Sequence, residues 1–111
     1  MNFMRLFARA LASIALLVST PAISADGVRG VVVYDKGCGS RLIIETALGY
    51  VLAEWYGGNS PSKGDVIVGE INGYGLKAVY NLTAKAGSRL WIDDYMLSRG
   101  RVLEKLHDKC N

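Results

Sequence analysis

The only histidine of the sequence, His107, is the first residue to consider as a catalytic base. A hydrolytic triad needs such a base held against a nucleophile and oriented by an acid. His107 lies between Leu106 and Asp108 in a segment with helical spacing, and serines and acids occur too widely to single out its partners. We therefore predict that His107 is a surface residue of a helix, favoured near the helix C-terminus when protonated.

Paired carboxylates are the second chemistry to consider, because glycosidic cleavage requires two acids that flank the scissile bond. Asp93 and Asp94 are adjacent in a predicted strand, so we expect their side chains to point to opposite faces. Glu45, Glu54 and Glu70 fall in three different predicted strands. Convergence of these three acids on one face would make an active site, but we expect them to mark the solvated side of a barrel.

Metal, cofactor and phosphate motifs are absent from the sequence. One histidine and two cysteines give no ligand spacing for zinc, and no DxDxDG loop indicates calcium. The NGYG segment has too few glycines to cradle a phosphate. The NLT tripeptide at Asn81 matches the N-glycosylation pattern, which is common by chance. We predict no metal and no cofactor.

Tyrosine and tryptophan are the remaining chemical signal. Both phenylalanines, Phe3 and Phe7, lie in the first 25 residues, so the rest of the sequence has two Trp and six Tyr as its only aromatic residues. Each has an apolar ring and a polar group, a combination that suits interfaces. A small barrel also fills its core with large residues, so core packing is the competing interpretation.

Strand alternation separates these two interpretations. In GYVLAEWY, Glu54 is costly to bury without a partner, so its face should be outward and Trp55 should point inward. In RLWIDDY, Leu90 and Ile92 suit a core, which leaves the alternate residues exposed. The predicted binding face consists of Tyr50, Tyr56, Tyr74, Trp91 and Tyr95.

Short β-prone runs separated by turn residues would position these side chains. VRGVVVY, VIVGEI, GLKAVYNL and SRLWIDDYM each predict a strand, with a bulge or bend expected at Gly69. RLIIETALGYVLAEWYGG predicts a hairpin broken near residues 47–49, with a helix over residues 41–56 as the alternative. GGNSPSKGD, residues 57–65, predicts an exposed loop.

The C-terminal segment predicts one helix. Ser98 can cap it, and Leu103, Leu106 and Cys110 recur on one face with Val102 alongside. The fold class is therefore mainly β (α+β), a small SH3-like or OB-like antiparallel barrel of five or six strands with one C-terminal helix. The KGDVIVGEI stretch resembles the GD turn and strand of many SH3-like barrels, which implies a fold family and no activity.

The first 25 residues have the pattern of a cleaved secretory signal. Arg5 and Arg9 precede an apolar run over residues 11–18, and small residues lead up to Ala25. Its removal would leave residues 26–111, a single domain of 86 residues with 11 basic and 10 acidic side chains. That balance gives no support for nucleic-acid binding or for an anionic membrane surface.

Cys38 and Cys110 are the only cysteines, and we predict that they form a disulfide in an oxidising compartment. Two free thiols or an intermolecular bridge are the alternatives. The function predicted is that of a noncatalytic, monomeric domain, periplasmic or secreted and without a membrane anchor after signal removal. It would recognise a protein partner in the bacterial cell envelope.

Three other functions stay open. A glycan or peptidoglycan ligand is the alternative, because exposed Trp and Tyr also stack on sugar rings. A small envelope hydrolase using Asp93, Glu54 and His107 is less favoured. An assembly component whose strands pair with a partner's edge is a third class.

Overall fold

The computed structural model describes residues 27–110, which form six strands and one helix joined by short connections. The predicted signal, residues 1–25, lies outside the described residues. Among those described, no helix is long and apolar enough to cross a membrane. The elements are β1 (Val28–Gly37), β2 (Arg41–Thr46), β3 (Gly49–Gly58), β4 (Val66–Gly69), β5 (Gly75–Asn81), β6 (Ala86–Leu97) and α1 (Arg99–Cys110).

The six strands close into an antiparallel barrel in the order β1-β2-β3-β6-β5-β4, so the predicted fold class is confirmed. The hairpin of β2 and β3 is also confirmed, and the alternative helix over residues 41–56 is wrong. At its turn, the Thr46 hydroxyl donates to the Gly49 carbonyl at 2.8 Å and accepts the Leu48 N–H at 3.0 Å. These two bonds fix the register in which Thr46 pairs with Gly49.

Two hydrophobic clusters hold the fold together. The barrel interior is lined by Val32, Leu42, Ile44, Val51, Ala53, Ile67, Ile71, Val79, Leu90 and Ile92. The second cluster, Ile43, Leu52, Val102 and Leu106, lies between the outer surface of the barrel and α1. β2 and β3 are therefore buried on both faces in their central residues, which explains why their sequences lack the alternation of a half-exposed strand.

Helix α1 is capped as predicted by Ser98, the residue before its start at Arg99, and the Ser98 hydroxyl oxygen accepts the Arg101 N–H at 3.2 Å. Val102 and Leu106 pack on the barrel, whereas Leu103 is half exposed, so the expected inclusion of Leu103 in the packed face is wrong. The helix ends at Cys110, which forms the predicted disulfide with Cys38, with the two Cα atoms 5.1 Å apart.

The connection from β3 to β4 is held more tightly than the exposed loop that the sequence predicted. Gly57 and Gly58 belong to β3, and Pro61 is buried. The buried Asn81 amide donates to Asn59 Oδ1 at 2.9 Å and to Asp65 Oδ2 at 2.8 Å. Because both amide hydrogens of Asn81 are engaged inside the fold, the NLT tripeptide is no acceptor for a glycan in the folded domain.

Candidate functional site

Two irregularities in β6 decide which of its side chains face outward. Ala53 of β3 pairs with Ile92, but the preceding Leu52 pairs with Asp94, so Asp93 is an extra residue in β6. A second extra residue, Met96, has a positive φ of 55°. Of the bulge or bend predicted at Gly69, the bulge is not found, since Gly69, the last residue of β4, pairs regularly with Val28 of β1.

The bulge at Asp93 overturns two expectations about β6. Asp93 and Asp94 were expected on opposite faces, but both line one small pocket beside α1. Tyr95 was expected to be exposed, but it is half-buried and packs against the barrel interior. Both errors have the same cause, because one inserted residue shifts the alternation of every residue that follows it.

The structure distributes the five predicted face residues over three places. Tyr56 and Trp91 lie together on the outer surface, with ring centroids 6.0 Å apart and planes inclined by 26°. Tyr74 contacts Tyr95 edge-on at 4.8 Å and donates its hydroxyl hydrogen to Asp94 Oδ1 at 3.3 Å. Tyr50 is half-buried and packs beside α1, on another side of the barrel.

Trp55 and Trp91 take the positions that the alternation predicted. Trp55 packs against the barrel interior, and its indole N–H donates to the Asn59 carbonyl at 3.1 Å. Trp91 is 40% exposed on the outer surface. Trp91 pairs with Glu54 in the outward row, whereas Tyr56 is an extra residue of β3 between the pairs Trp55–Leu90 and Gly57–Arg89.

The outer surface of β5 adds residues that the sequence reasoning missed. Leu76 pairs directly with Trp91, Ala78 with Arg89, and Tyr80 with Gly87. Leu76 is 50% and Tyr80 45% exposed. Together with Tyr56, these residues form a surface that we call the aromatic face, consisting of Tyr56, Leu76, Ala78, Tyr80, Arg89 and Trp91.

Alternation in GLKAVYN was the signal that could have revealed the β5 part of this face. Val79 is buried, so the residues on either side of it, Ala78 and Tyr80, must point outward. Leu76, two residues before Ala78, points outward by the same alternation. The pairing of Leu76 with Trp91 and its 50% exposure agree with this outward position.

Small residues make a shallow groove in the aromatic face. Gly57 of β3 pairs with Arg89, and a methyl group on Gly57 would collide with the Arg89 guanidinium. The side chain of Arg89 thus extends over a position that only glycine leaves open. The adjoining groove has a volume of about 340 Å³ and is lined by Gly58, Ala78, Val79, Gly87, Ser88 and Arg89.

A charged cluster joins β2, β3, β6 and α1 near the two aspartates. Arg41 lies between Glu54 and Asp93, with its Nη2 3.7 Å from Glu54 Oε1 and its Nε 3.8 Å from Asp93 Oδ2. Lys105 of α1 pairs with Asp94 at 3.1 Å. One guanidinium thus serves both Glu54 and Asp93, an arrangement typical of a structural ion network.

The environments of the two aspartates shift their pKa values in opposite directions. Burial is the largest influence on Asp93 and raises its pKa, with the nearby Lys109 and Arg41 opposing this effect. Burial also acts to raise the pKa of Asp94, but the Tyr95 N–H and Lys105 together outweigh it and lower that pKa. The negative charge of Asp94 is the main reason that the pKa of Tyr74 is raised.

The chemistry available around these carboxylates is limited. The pocket they line has a volume of about 170 Å³, below the roughly 300 Å³ at which ligand pockets usually begin. His107 is exposed on α1, as predicted, and does not line this pocket. Within residues 27–110, no group of three or more His, Cys, Asp or Glu side chains is placed to hold a metal ion.

A second groove lies between α1 and the outer surface of β1 and β2, with a volume of about 370 Å³. Tyr50 belongs to this groove and not to the aromatic face. This groove is lined by both Glu45 and Arg99, which carry opposite charges. Its charge therefore favours neither an anionic nor a cationic ligand. Its lining is Val33, Tyr34, Ile43, Glu45, Tyr50, Arg99, Val102, Leu103 and Leu106.

Comparison of the protein with family models, with curated proteins and with solved structures finds no match.

Proposed function

We propose that this protein is a noncatalytic, exported binding domain that recognises a protein partner in the bacterial cell envelope through the aromatic face. The observation that carries the proposal is the exposure of Tyr56, Trp91 and Leu76 side by side on three paired strands. Contiguous exposed aromatic and aliphatic side chains are characteristic of interaction surfaces.

The composition of the face favours a protein partner. Trp, Tyr and Arg are the residue types enriched at the energetic centres of protein interfaces, and this face has all three. Leu76 and Ala78 add an aliphatic strip directly beside Trp91 and Arg89. Such a mixture suits the varied side chains of a protein surface.

The rigidity of the scaffold also supports a binding role. β3, β5 and β6 belong to a closed barrel, so the aromatic face is held in place by paired backbones. The neighbouring loop is fixed by the Asn81 amide, by the Lys63 N–H bond to Asp35 Oδ2 at 3.0 Å, and by the Gly64 N–H bond to the Val32 carbonyl at 2.7 Å. A surface that is already ordered loses little conformational entropy when it binds.

Export is proposed from two separate features. The first 25 residues have the pattern of a secretory signal, and the domain contains a disulfide between Cys38 and Cys110. Disulfides persist in oxidising compartments such as the periplasm or the extracellular space.

Affinity capture from an envelope extract tests the proposal when variants are compared in parallel. The baits are the tagged protein, Trp91→Ser, and Leu103→Ser, which removes a similarly exposed apolar side chain from α1. We expect the tagged protein and Leu103→Ser to recover the same partner, and Trp91→Ser to bind it at least about tenfold more weakly. Equal recovery by all three baits would refute a role for the aromatic face.

A further inference from the structure

We infer that the partner segment that occupies the aromatic face presents a carboxylate, which pairs with the guanidinium of Arg89. This inference rests on the proposed function and specifies the chemistry of the partner as an acidic peptide segment. The carboxylate would come from an Asp or Glu side chain or from the terminal carboxyl group of the partner polypeptide.

The first observation is that Arg89 is exposed and has no carboxylate partner within residues 27–110. In the same part of the protein, Arg41, Arg101 and Lys105 each pair with an acid. Arg89 is thus a cation in the middle of the aromatic face whose charge is not neutralised by the fold.

The second observation is the distribution of charge along the β5–β6 hairpin. From Ile71 to Ile92 the sequence contains three basic residues and no acidic residue. Of these, Arg89 belongs to the aromatic face, whereas Lys77 pairs with the buried Leu90 and lies in the inward row of β5. Arg29 of β1 lies in the same cross-strand row as Tyr80, because Val68 of β4 pairs with both. Glu54 pairs with Trp91 at the edge of this surface, but its carboxylate lies 3.7 Å from Arg41. Arg89 and Arg29 therefore leave the surface positively charged, and an anionic partner complements it.

The third observation is the surroundings of the Arg89 guanidinium. Its cross-strand neighbours, Ala78 and Gly57, have little or no side chain, so the planar group is open to a ligand. Trp91 follows Arg89 by two residues in the same row of β6, Tyr56 precedes Gly57, and Arg89 also lines the 340 Å³ groove. A guanidinium in this setting can bind a carboxylate through two parallel hydrogen bonds, while the rings exclude water.

Selection from a random peptide library displayed on phage tests the inference. The mature domain is the target, and peptides are kept if they bind it but not the Trp91→Ser variant. Synthetic peptides from the selected set are then titrated against the variants Arg89→Gln and Gly57→Ala, with Arg99→Gln as a control that removes the same charge on α1.

Gly57→Ala keeps the net charge but forces the Arg89 guanidinium from its place over β3. Gly57 is not among the glycines with positive φ, so alanine suits its backbone. We expect selected peptides to be rich in Asp and Glu and to bind Arg89→Gln about ten- to hundredfold more weakly. Gly57→Ala should weaken binding in the same direction, and Arg99→Gln should leave it unchanged.

Three other outcomes would overturn the inference and are distinguishable from one another. Peptides that depend on Trp91 but lack acidic residues and bind Arg89→Gln equally well would refute the carboxylate and leave the proposed function standing. Failure to obtain any Trp91-dependent peptide would refute both. Arg89-dependent retention of a uronic acid oligosaccharide without any acidic peptide would assign the face to an anionic glycan instead.

Discussion

Asp93 and Asp94 show how two adjacent residues of one type come to have opposite effects on stability. Asp93 Oδ2 is buried without a hydrogen-bond partner, and burial raises the pKa of this residue. Asp94 accepts the Tyr95 N–H at 2.8 Å and pairs with Lys105. Ionisation of Asp93 therefore lowers the free energy of unfolding, while ionisation of Asp94 raises it.

The pH dependence of unfolding follows from these directions. The raised pKa of Asp93 means that its contribution to stability falls as the pH rises from about 3.9, the unfolded value, through the folded pKa. The lowered pKa of Asp94 means that its contribution is present above about 3.9 and is lost as the pH falls through the folded pKa.

We predict that Asp93→Asn leaves the urea midpoint unchanged or raises it at neutral pH, and that Asp94→Asn lowers it. Both differences from wild type should shrink in acid, where the wild-type carboxyl groups are protonated. Urea titrations at several pH values measure this. A larger loss for Asp93→Asn than for Asp94→Asn at neutral pH would contradict the account.

At the scale of the element, α1 is attached to the barrel by few side chains. Val102 and Leu106 pack on Ile43 and Leu52, whereas Leu103 borders the groove beside α1 and is 50% exposed. We predict that Leu106→Ala lowers the free energy of unfolding by about 2–5 kcal/mol. Leu103→Ala should change it by less than about 0.5 kcal/mol. Urea unfolding followed by circular dichroism distinguishes the two, and comparable losses would mean that α1 packs through another face.

The strands differ in how far their sequences determine their orientation. For β3, one costly-to-bury residue, Glu54, was enough to orient Trp55 inward, and the pairing of Trp55 with Leu90 agrees. Tyr56 is exposed as predicted, but it is an extra residue of β3 between the pairs Trp55–Leu90 and Gly57–Arg89. In β6 the same reasoning held as far as Ile92 and failed beyond it. Nothing in the DDY sequence marks Asp93 as an extra residue, because a bulge depends on the pairing with β3 and not on local propensity.

The sequence predicted the position of α1 and its capping residue, but not which of its side chains face the barrel. Ser98 was recognisable because a capping residue acts locally on the adjacent turn. The choice between Val102 and Leu103 as the packed residue depends on where Ile43 and Leu52 lie on the barrel, which is tertiary information. The aromatic face shows the same limit, since the contact of Tyr56 with Trp91 requires the register of two strands distant in sequence.

At the scale of the whole molecule, the disulfide closes a small domain whose core is modest. Cys38 and Cys110 are 72 residues apart in sequence, so their bridge restricts most of the unfolded polypeptide. We predict that replacing both cysteines by alanine lowers the free energy of unfolding by about 4 kcal/mol on the loop-entropy model. Chemical denaturation of the two forms measures the difference, and equal midpoints would refute a stabilising role for the bridge.

The surface covered by α1 and the aromatic face lie mainly on different strands of the barrel. α1 covers β2 and β3 on one side, and the aromatic face lies mainly on β5 and β6, which follow in the ring order. Within residues 27–110, no helix packs on the aromatic face. A partner bound to the aromatic face would therefore leave the α1 contacts and the disulfide undisturbed.

Site-specific photo-crosslinking in the native host tests the central claim most directly. A benzophenone amino acid replaces Tyr56 on the aromatic face or, as the control, Leu103 on α1, which are 55% and 50% exposed. The account predicts a discrete protein adduct from position 56 and none of that size from position 103. No adduct from position 56, or the same adduct from both positions, would contradict it.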